Sequence, residues 1–251
     1  MLVSPEELGQ RLKPFIALGI LDTDATFRGF GLHPHSGIAT LTFLFEGSFG
    51  YEDTTGATGM LPEGGVEWFK SGHGAWHAGD PAATGRARGF QLWVALPPDH
   101  ELGPVESVYQ GPEEVVEAGP ARVLMGAYGG AISALKAPAP LNYLAVRLKA
   151  GATWRYQPPV DHTTAFIALA SGRVSVPGPV DGGELVIFES GNDAINVVAE
   201  MDTELVLGSA AAYSHNLVSG YHSVHTSRAT LEAGERRINE IRARLRAAGR
   251  L

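Results

Sequence analysis

The sequence predicts an all-β protein built from two similar β-barrels, with an amphipathic helix at its C-terminus. Three observations predict this fold: short strand-like segments separated by turns, a pattern shared by the two halves of the chain, and a final stretch with helical periodicity. The 251 residues include 32 glycines and 16 prolines spread along the chain, as expected where turns join many short strands. This length is enough for two barrels of about 100 residues, each with its own core.

Strand-like segments occur throughout the first half. Ile38–Phe45 is the strongest, because it is rich in β-branched and aromatic residues and is closed by Gly47. Three further short segments follow: 49–52, 66–69 after the Gly64-Gly65 turn, and 90–96, which Pro97-Pro98 ends. Residues 97–120 are rich in proline, glycine and acidic residues, which predicts a connection with an edge strand around Val105–Tyr109.

The second half has six strand-like segments: Arg122–Gly126, Asn142–Leu148, Thr164–Ala170, Glu184–Phe188, Ala194–Ala199 and Glu204–Gly208. These features predict four regions: an N-terminal barrel with the candidate site (1–100), a connecting segment (101–120), a C-terminal barrel (121–228) and a C-terminal helix (229–251).

The two halves share a sequence pattern. Residues 38–47 read IATLTFLFEG and residues 163–172 read TTAFIALASG. In each half a glycine pair, a strand and a Ser-Gly pair then follow in the same order. This shared order indicates duplicated barrels.

The last region has the period of an amphipathic helix. Within Thr230–Ala248, four apolar residues recur at helical spacing with arginines between them: Leu231, Ile238, Ile241 and Leu245. We expect the apolar face to pack on a barrel and the arginines to face solvent, rather than to contact a membrane or a nucleic acid.

Composition excludes several functions. The net charge is −8 and the one dense basic stretch is Arg236–Arg246, which argues against direct nucleic-acid binding. There are no cysteines, so disulfides, thiolate metal sites and cysteine nucleophiles are excluded. Charged residues interrupt the N-terminal 21 residues, and no segment is apolar enough for a signal peptide or a membrane span. We therefore expect a cytoplasmic protein with no membrane partner.

Histidines carry the candidate chemistry. In His33-Pro34-His35, residues two apart on an extended chain project to the same face. Pro34 favours an extended conformation before it and fits the start of a strand. An H-x-H pair alone is weak evidence. However, His77 follows the 66–69 strand, and in a small barrel that part of the chain can return beside the first strand. Three imidazoles would then surround one point.

Several motifs resemble the pirin family. The segments LKPFIALGILD, HPHSGIATLTFLFEG, EDTTGATGMLPEGGVEWFKSGHGAWHAG and GFQLWVAL occur in the family's order and cover most of 13–96. The resemblance continues more weakly through LNYLAVRLKAG and the second half. It implies two cupin-like jelly-roll barrels stacked as a bicupin, with one divalent metal ion, usually iron, in the N-terminal barrel. By the family pattern His33, His35 and His77 are the metal ligands.

The sequence departs from the family at the fourth ligand. The family has a glutamate two residues after the third histidine, where this chain has Gly79, and Ala39 stands where cupins often place an acidic residue. Three neutral imidazoles still suit Fe(II), Ni(II), Cu(II), Zn(II) or Co(II). Asp80 and His73 are the candidates to reach the metal or to take over catalytic proton transfer. The alternatives are a solvated turn residue for Asp80 and a loop histidine for His73.

The second half has lost these histidines. Other residues stand at the corresponding positions, namely Pro158, Val160 and Asn196, and His162 is out of register. We therefore expect a structural barrel without a metal. Three more histidines lie in a Ser-, Asn- and Gly-containing segment that we interpret as a loop rather than a second metal site: His215, His222 and His225.

Three functions follow from these observations. The resemblance implies a metal-dependent oxygenase of the quercetin 2,3-dioxygenase type, acting with O₂ on a flavonol-like or other small aromatic substrate. In the family the glutamate binds the metal and acts as general base, and Gly79 can do neither. The second function is a non-enzymatic metal- or redox-sensing regulator that binds a protein partner. The third is a metal-free cupin scaffold that recognises a small ligand or partner.

Overall fold

The computed structural model describes residues 1–24, 26–81 and 86–251. It is built mostly of antiparallel strands that form two barrels, and a long helix ends the chain. The predicted fold class, all-β with two barrels and a C-terminal helix, is confirmed.

Two sheets form the N-terminal barrel, after a short helix α1 (Gly9–Leu12). Its strands are β1 (Phe15–Thr23), β2 (Phe30–His35), β3 (Ile38–Glu46), β4 (Phe49–Asp53), β5 (Thr58–Leu61), β6 (Val66–Lys70), β7 (Ala75–Pro81), β8 (Ala87–Ala95) and β9 (Glu106–Gln110). The larger sheet has the order β1-β8-β3-β6-β9, and the smaller has the order β2-β7-β4-β5. The edge strand expected around Val105–Tyr109 is β9, which pairs with β6.

The C-terminal barrel also has a large and a small sheet. Its strands are β10 (Glu117–Ala118), β11 (Ala121–Met125), β12 (Ala127–Tyr128), β13 (Ala131–Ile132), β14 (Leu141–Leu148), β15 (Thr153–Tyr156), β16 (His162–Ser171), β17 (Arg173–Val176), β18 (Gly178–Asp181), β19 (Leu185–Ile187), β20 (Ile195–Ala199) and β21 (Thr203–Ala211). Of these, β12 and β13 form a short separate hairpin. The large sheet has the order β10-β11-β14-β21-β16-β19, and the small sheet has the order β15-β20-β17-β18.

The two barrels repeat one topology. The series β1-β8-β3-β6 in the first barrel corresponds to β14-β21-β16-β19 in the second, and β2-β7-β4-β5 corresponds to β15-β20-β17-β18. The matching segments 38–47 and 163–172 fall on β3 and β16, which occupy the same place in their sheets. The sequence repeat therefore reflects a structural duplication.

The barrels stack through their large sheets. Residues 38–45 of β3 are buried on both faces of the strand, which explains why this segment is an almost continuous apolar run. Phe43 belongs to a core shared with residues of the second barrel, such as Tyr143. Across this core the rings of Phe15 and Phe166 meet edge to face, with centroids 5.2 Å apart.

After β21 the chain returns to the first barrel. It forms a hairpin of β22 (Val218–Gly220) and β23 (Ser223–His225) and then helix α2 (Arg228–Ala247). Val224 packs in a cluster with Ile38 of β3. The end of the region that we assigned to the second barrel, 121–228, thus contacts the first barrel.

Helix α2 lies against β7. It begins after Ser227, whose side chain accepts a hydrogen bond from the Thr230 amide. The four apolar residues that predicted this helix are all buried, namely Leu231, Ile238, Ile241 and Leu245. Trp76 of β7 packs on Ile241 and donates a hydrogen bond from Nε1 to the Ile238 carbonyl at 3.0 Å. No helix among the described residues is long and apolar enough to cross a membrane.

Candidate metal centre

Two neighbouring strands of the small sheet bring the three predicted histidines together. His33 and His35 lie on β2, and His77 lies opposite His33 on β7. The three ring centroids are 4.5 to 5.0 Å apart. One ligand nitrogen from each ring lies within 4.8 Å of the other two. The spacing of these nitrogens suits binding to one ion.

Main-chain carbonyls fix two of the rings. Nδ1 of His33 donates a hydrogen bond to the Gly31 carbonyl at 2.8 Å, and Nδ1 of His35 donates to the His222 carbonyl at 2.8 Å. Since a carbonyl can only accept, both neutral rings carry their proton on Nδ1. Their Nε2 atoms therefore keep a free lone pair for a metal ion.

A carboxylate lies beside the third ring. Oε1 of Glu67, on β6, is 3.6 Å from Nδ1 of His77, and Glu67 is only 7% exposed. A carboxylate behind a histidine is the usual arrangement that orients a metal ligand and raises its basicity. Phe69 stacks on the His77 ring with centroids 4.5 Å apart, and Trp93 packs edge-on against His35 at 4.8 Å. The rings are thus held from behind by one carboxylate and two aromatic walls.

Burial keeps the His33 and His35 rings neutral. Burial, and to a smaller extent the neighbouring His77, lowers the pKa of His33 from 6.5 to about 4. Burial lowers the pKa of the fully buried His35 well below its ordinary value. Neutral imidazole is the form that binds metals, so no proton has to be displaced from His33 or His35 near pH 7.

The residues present fit a divalent ion. Nε2 of His35 and Nε2 of His77 are buried and have no hydrogen-bond partner. Unpartnered buried nitrogens are costly in a folded protein and usually indicate a missing ligand or ion. His33 is partly exposed, so the group is open to solvent on its side. Three converging imidazoles with an open side suit a metal that keeps positions free for other ligands.

An aromatic ring occupies the space beside Gly79. A Cβ atom at position 79 would overlap Cε1 of Phe49, which is itself buried. The glutamate expected from the family is therefore absent, and the ring of Phe49 fills the room that the start of such a side chain would need.

The other two residues that we predicted for the site lie outside the histidine group. Asp80 is exposed and is three residues from His77 on the same strand, so its side chain is on the opposite face of β7. His73 is exposed on the turn before β7, where its amide donates to the Gly103 carbonyl.

Two residues at the centre were not predicted from the sequence. Glu67 was detectable as the one charged residue in the apolar segment VEWF. His222, which we interpreted as a loop residue rather than part of a second metal site, has its ring centroid 5.9 Å from those of both His33 and His35. Nothing in the local sequence connects position 222 with β2, because the contact depends on the return of the chain to the first barrel.

The second barrel shows no comparable group. Over residues 1–24, 26–81 and 86–251, the one cluster of at least three potential ligands is His33, His35 and His77. Pro158 and Asn196 instead line a cavity of about 580 Å³. His162 is buried and its Nδ1 contacts the Ser209 hydroxyl at 2.8 Å.

Known proteins are similar to this chain in sequence and in fold. The pirin family model matches residues 3–94. A pirin-like protein from Caulobacter vibrioides is 32% identical over 231 residues, which cover 82% of this chain and 78% of the relative. The crystal structure of a quercetin 2,3-dioxygenase from Acinetobacter baumannii superposes with a TM-score of 0.88 at 24% identity, covering 95% of this chain and 89% of that one. A bacterial pirin from Escherichia coli in complex with nickel(II) has a TM-score of 0.66 at 19% identity, covering 80% and 83%.

The fold and the site together define a bicupin with a three-histidine candidate metal site in its N-terminal barrel. The chain belongs to the pirin family, as the extent and identity of its match to the Caulobacter protein show.

Proposed function

We propose that the chain is a metal-dependent oxygenase of the quercetin 2,3-dioxygenase type, which adds both atoms of O₂ to a flavonol-like or other small aromatic substrate. The observation that supports this most strongly is the convergence of three anchored imidazoles with unpartnered Nε2 atoms on His35 and His77. The similarity of the fold to a solved quercetin 2,3-dioxygenase supports the same proposal.

The ion that we propose is Fe(II), with Ni, Cu, Zn or Co as alternatives. When bound, it would supply open positions at which substrate and O₂ oxygens meet, together with Lewis-acid stabilisation of developing charge. The protein's own part is to hold the rings without reorganisation. Three groups hold the rings at their Nδ1 atoms, on the side away from the ion: the Gly31 carbonyl, the His222 carbonyl and Glu67.

We propose a groove near the candidate metal centre as the place for the substrate, although His33, His35 and His77 do not line it. It has a volume of about 300 Å³, and Trp93, Tyr221 and His222 are among its walls. Planar aromatic side chains favour flat aromatic ligands, because two rings can pack face to face or edge to face. Trp93 connects the groove to the metal centre, because it lines the groove and also packs against His35.

Proton transfer must differ from the family pattern because Gly79 has no carboxylate. We propose Asp80 and His73 as acceptors of the substrate proton. They would have to act through water, because neither belongs to the histidine group and Asp80 projects from the opposite face of β7. A base that works through water is less well positioned than one in direct contact. We therefore expect slow turnover.

Oxygen uptake tests the proposed function. Tag-free protein loaded with Fe(II) should consume O₂ when quercetin is added, and the His33→Ala/His77→Ala variant should not. If the fully metal-loaded protein consumes no O₂ with any flavonol, this result would contradict the proposal.

Restoring the carboxylate is a second test. Because Phe49 blocks position 79, Gly79→Glu has to be combined with Phe49→Ala. The double variant should consume O₂ faster than Phe49→Ala alone if a missing base limits turnover. Equal rates at equal metal loading would show that the base is not the limitation.

One observation favours a non-enzymatic alternative. The ring of Phe49 fills the space that the Cβ atom of a glutamate at position 79 would need, as expected if the protein binds a metal without catalysing a reaction. The protein would then be a metal- or redox-sensing regulator that binds a protein partner. Metal-dependent partner binding without O₂ consumption would support this second function.

A further inference from the structure

His222 stands at the tip of the β22–β23 hairpin, on the open side of the histidine group. Its ring is exposed, and its centroid lies 5.9 Å from the centroids of His33 and His35. A metal–nitrogen bond is about 2.1 Å, so two imidazoles on one ion have centroids at most about 6.5 Å apart. The centroid separation therefore permits a shared ion once the His222 ring turns, because in the structure His222 is not among the residues whose ligand atoms all lie within 4.8 Å of one another.

The backbone at His222 adopts an unusual conformation. Its φ is +52°, and it is the one non-glycine residue with a positive φ in the part of the chain that the structure describes. Such conformations persist where the surroundings fix them, and they occur often at functional sites. Here the His222 carbonyl accepts the hydrogen bond from Nδ1 of His35. The same residue thus supports one metal ligand with its backbone and presents its own imidazole nearby.

The hairpin is tied to the residue that follows His35. The Ser36 hydroxyl donates to the Ser223 hydroxyl at 2.9 Å, and Nε2 of His225 contacts the Ser36 hydroxyl at 2.9 Å. All three residues are buried. Since Ser36 is adjacent to His35 and Ser223 is adjacent to His222, these bonds hold the hairpin tip beside the metal ligands.

Among the described residues, no carboxylate near the group is placed to complete it. Position 79 is covered by Phe49, and Asp80 is on the opposite face of β7. Glu67 lies behind His77, beside Nδ1 rather than Nε2. The open side, where a further ligand has to approach, is the side of His33 and His222.

We propose that His222 is the fourth protein ligand of the ion, in place of the family's glutamate. The exposed ring turns toward the other three histidines when the metal binds, while its carbonyl stays bonded to His35. The centre is then a four-histidine site that spans the N-terminal barrel and the C-terminal hairpin. This inference rests on the metal centre of the proposed function but not on oxygenase activity.

Copper(II) binding to the full chain tests this proposal, because pulsed electron paramagnetic resonance counts the imidazoles coupled to the ion. His222→Asn is the informative variant, since asparagine tolerates the left-handed backbone and keeps the carbonyl that His35 needs. We expect one fewer coupled imidazole and at least ten-fold weaker Cu(II) binding in competition with a chelator. The matched control is His215→Asn, in the same C-terminal segment, which should resemble the wild type in both measurements.

An unchanged number of coupled imidazoles in His222→Asn would overturn the proposal, even if the affinity fell, because the effect would then come from the backbone. Absence of Cu(II) binding by the wild type would overturn it together with the metal centre. Oxygen uptake is measured separately. A loss of one imidazole without any O₂ consumption by the wild type would refute the oxygenase and leave the fourth ligand in place.

Discussion

The main-chain carbonyl of His222 accepts a hydrogen bond from Nδ1 of His35 at 2.8 Å, across 187 positions of the sequence. This bond fixes the tautomer of a predicted metal ligand from a hairpin at the other end of the chain. The C-terminal segment is therefore a structural part of the candidate metal centre. The consequences can be tested one contact at a time.

Ser36→Ala should destabilise the protein. The change removes the hydroxyl that joins Ser223 and His225 and leaves Nε2 of the buried His225 without its partner, whereas the Ser223 hydroxyl still donates to the Tyr221 carbonyl. We expect a loss of about 1–3 kcal/mol in the free energy of unfolding, measured by urea denaturation of the metal-free protein. Ser219→Ala, on β22, is the control and should change stability by less than about 0.5 kcal/mol. Equal stability of Ser36→Ala and wild type would contradict the role of this cluster.

Glu67→Gln should weaken metal binding while the fold remains intact. The amide keeps the shape of the side chain but removes the negative charge beside Nδ1 of His77. Loss of such a supporting carboxylate typically reduces metal affinity about 10–100-fold, which competition with a chelator would measure. Glu106→Gln, on the neighbouring strand β9, should bind metal as the wild type does. An unchanged affinity in Glu67→Gln would mean that the carboxylate does not support His77.

Gly79→Ala should cost stability, and Phe49 should be the cause. The added methyl group meets the Phe49 ring, and overpacking of this kind costs about 1–3 kcal/mol. In the Phe49→Ala background the same change should cost much less, because the obstacle is gone. A double-mutant cycle of unfolding free energies measures the coupling. Additive effects of the two changes would show that Phe49 does not occupy the space at position 79.

His162 should make stability depend on pH. Burial lowers its pKa below the ordinary 6.5, so the unfolded chain takes up a proton before the folded protein does as the pH falls. Stability is therefore lost as the pH falls through 6.5. His162→Gln should lose less stability than the wild type between pH 7.5 and pH 5.5 in urea denaturation. His100→Gln, in the loop after β8, is the control. Identical pH dependence of His162→Gln and wild type would contradict this assignment.

The sequence predicted the strands that bury continuous apolar runs. Segments such as 38–45 and 142–148 become β3 and β14, because their composition permits little else than a buried strand. The apolar face of α2 was predicted for a similar reason. Its period of 3.6 residues is carried by large side chains, and these are buried in the structure.

The remaining strands and site residues depend on long-range contacts, which the local sequence does not reveal. Residues 75–81 have the glycine and proline content of a loop, yet they form β7 because β2 and β4 pair with both of its edges. His33, His35 and His77 were identified as a group by their motif, whereas the contribution of His222 was not. Its place follows from the return of the C-terminal segment over the first barrel, a long-range event without a local signature.

The metal content of the purified protein tests the central claim most directly. Tag-free wild type and His33→Ala/His77→Ala would be analysed by inductively coupled plasma mass spectrometry, before and after reconstitution with Fe(II), Ni(II) or Zn(II). We predict close to one metal ion per chain in the wild type and almost none in the variant. A wild type that binds no metal after reconstitution, or a variant that keeps it, would contradict the three-histidine centre and favour a metal-free scaffold.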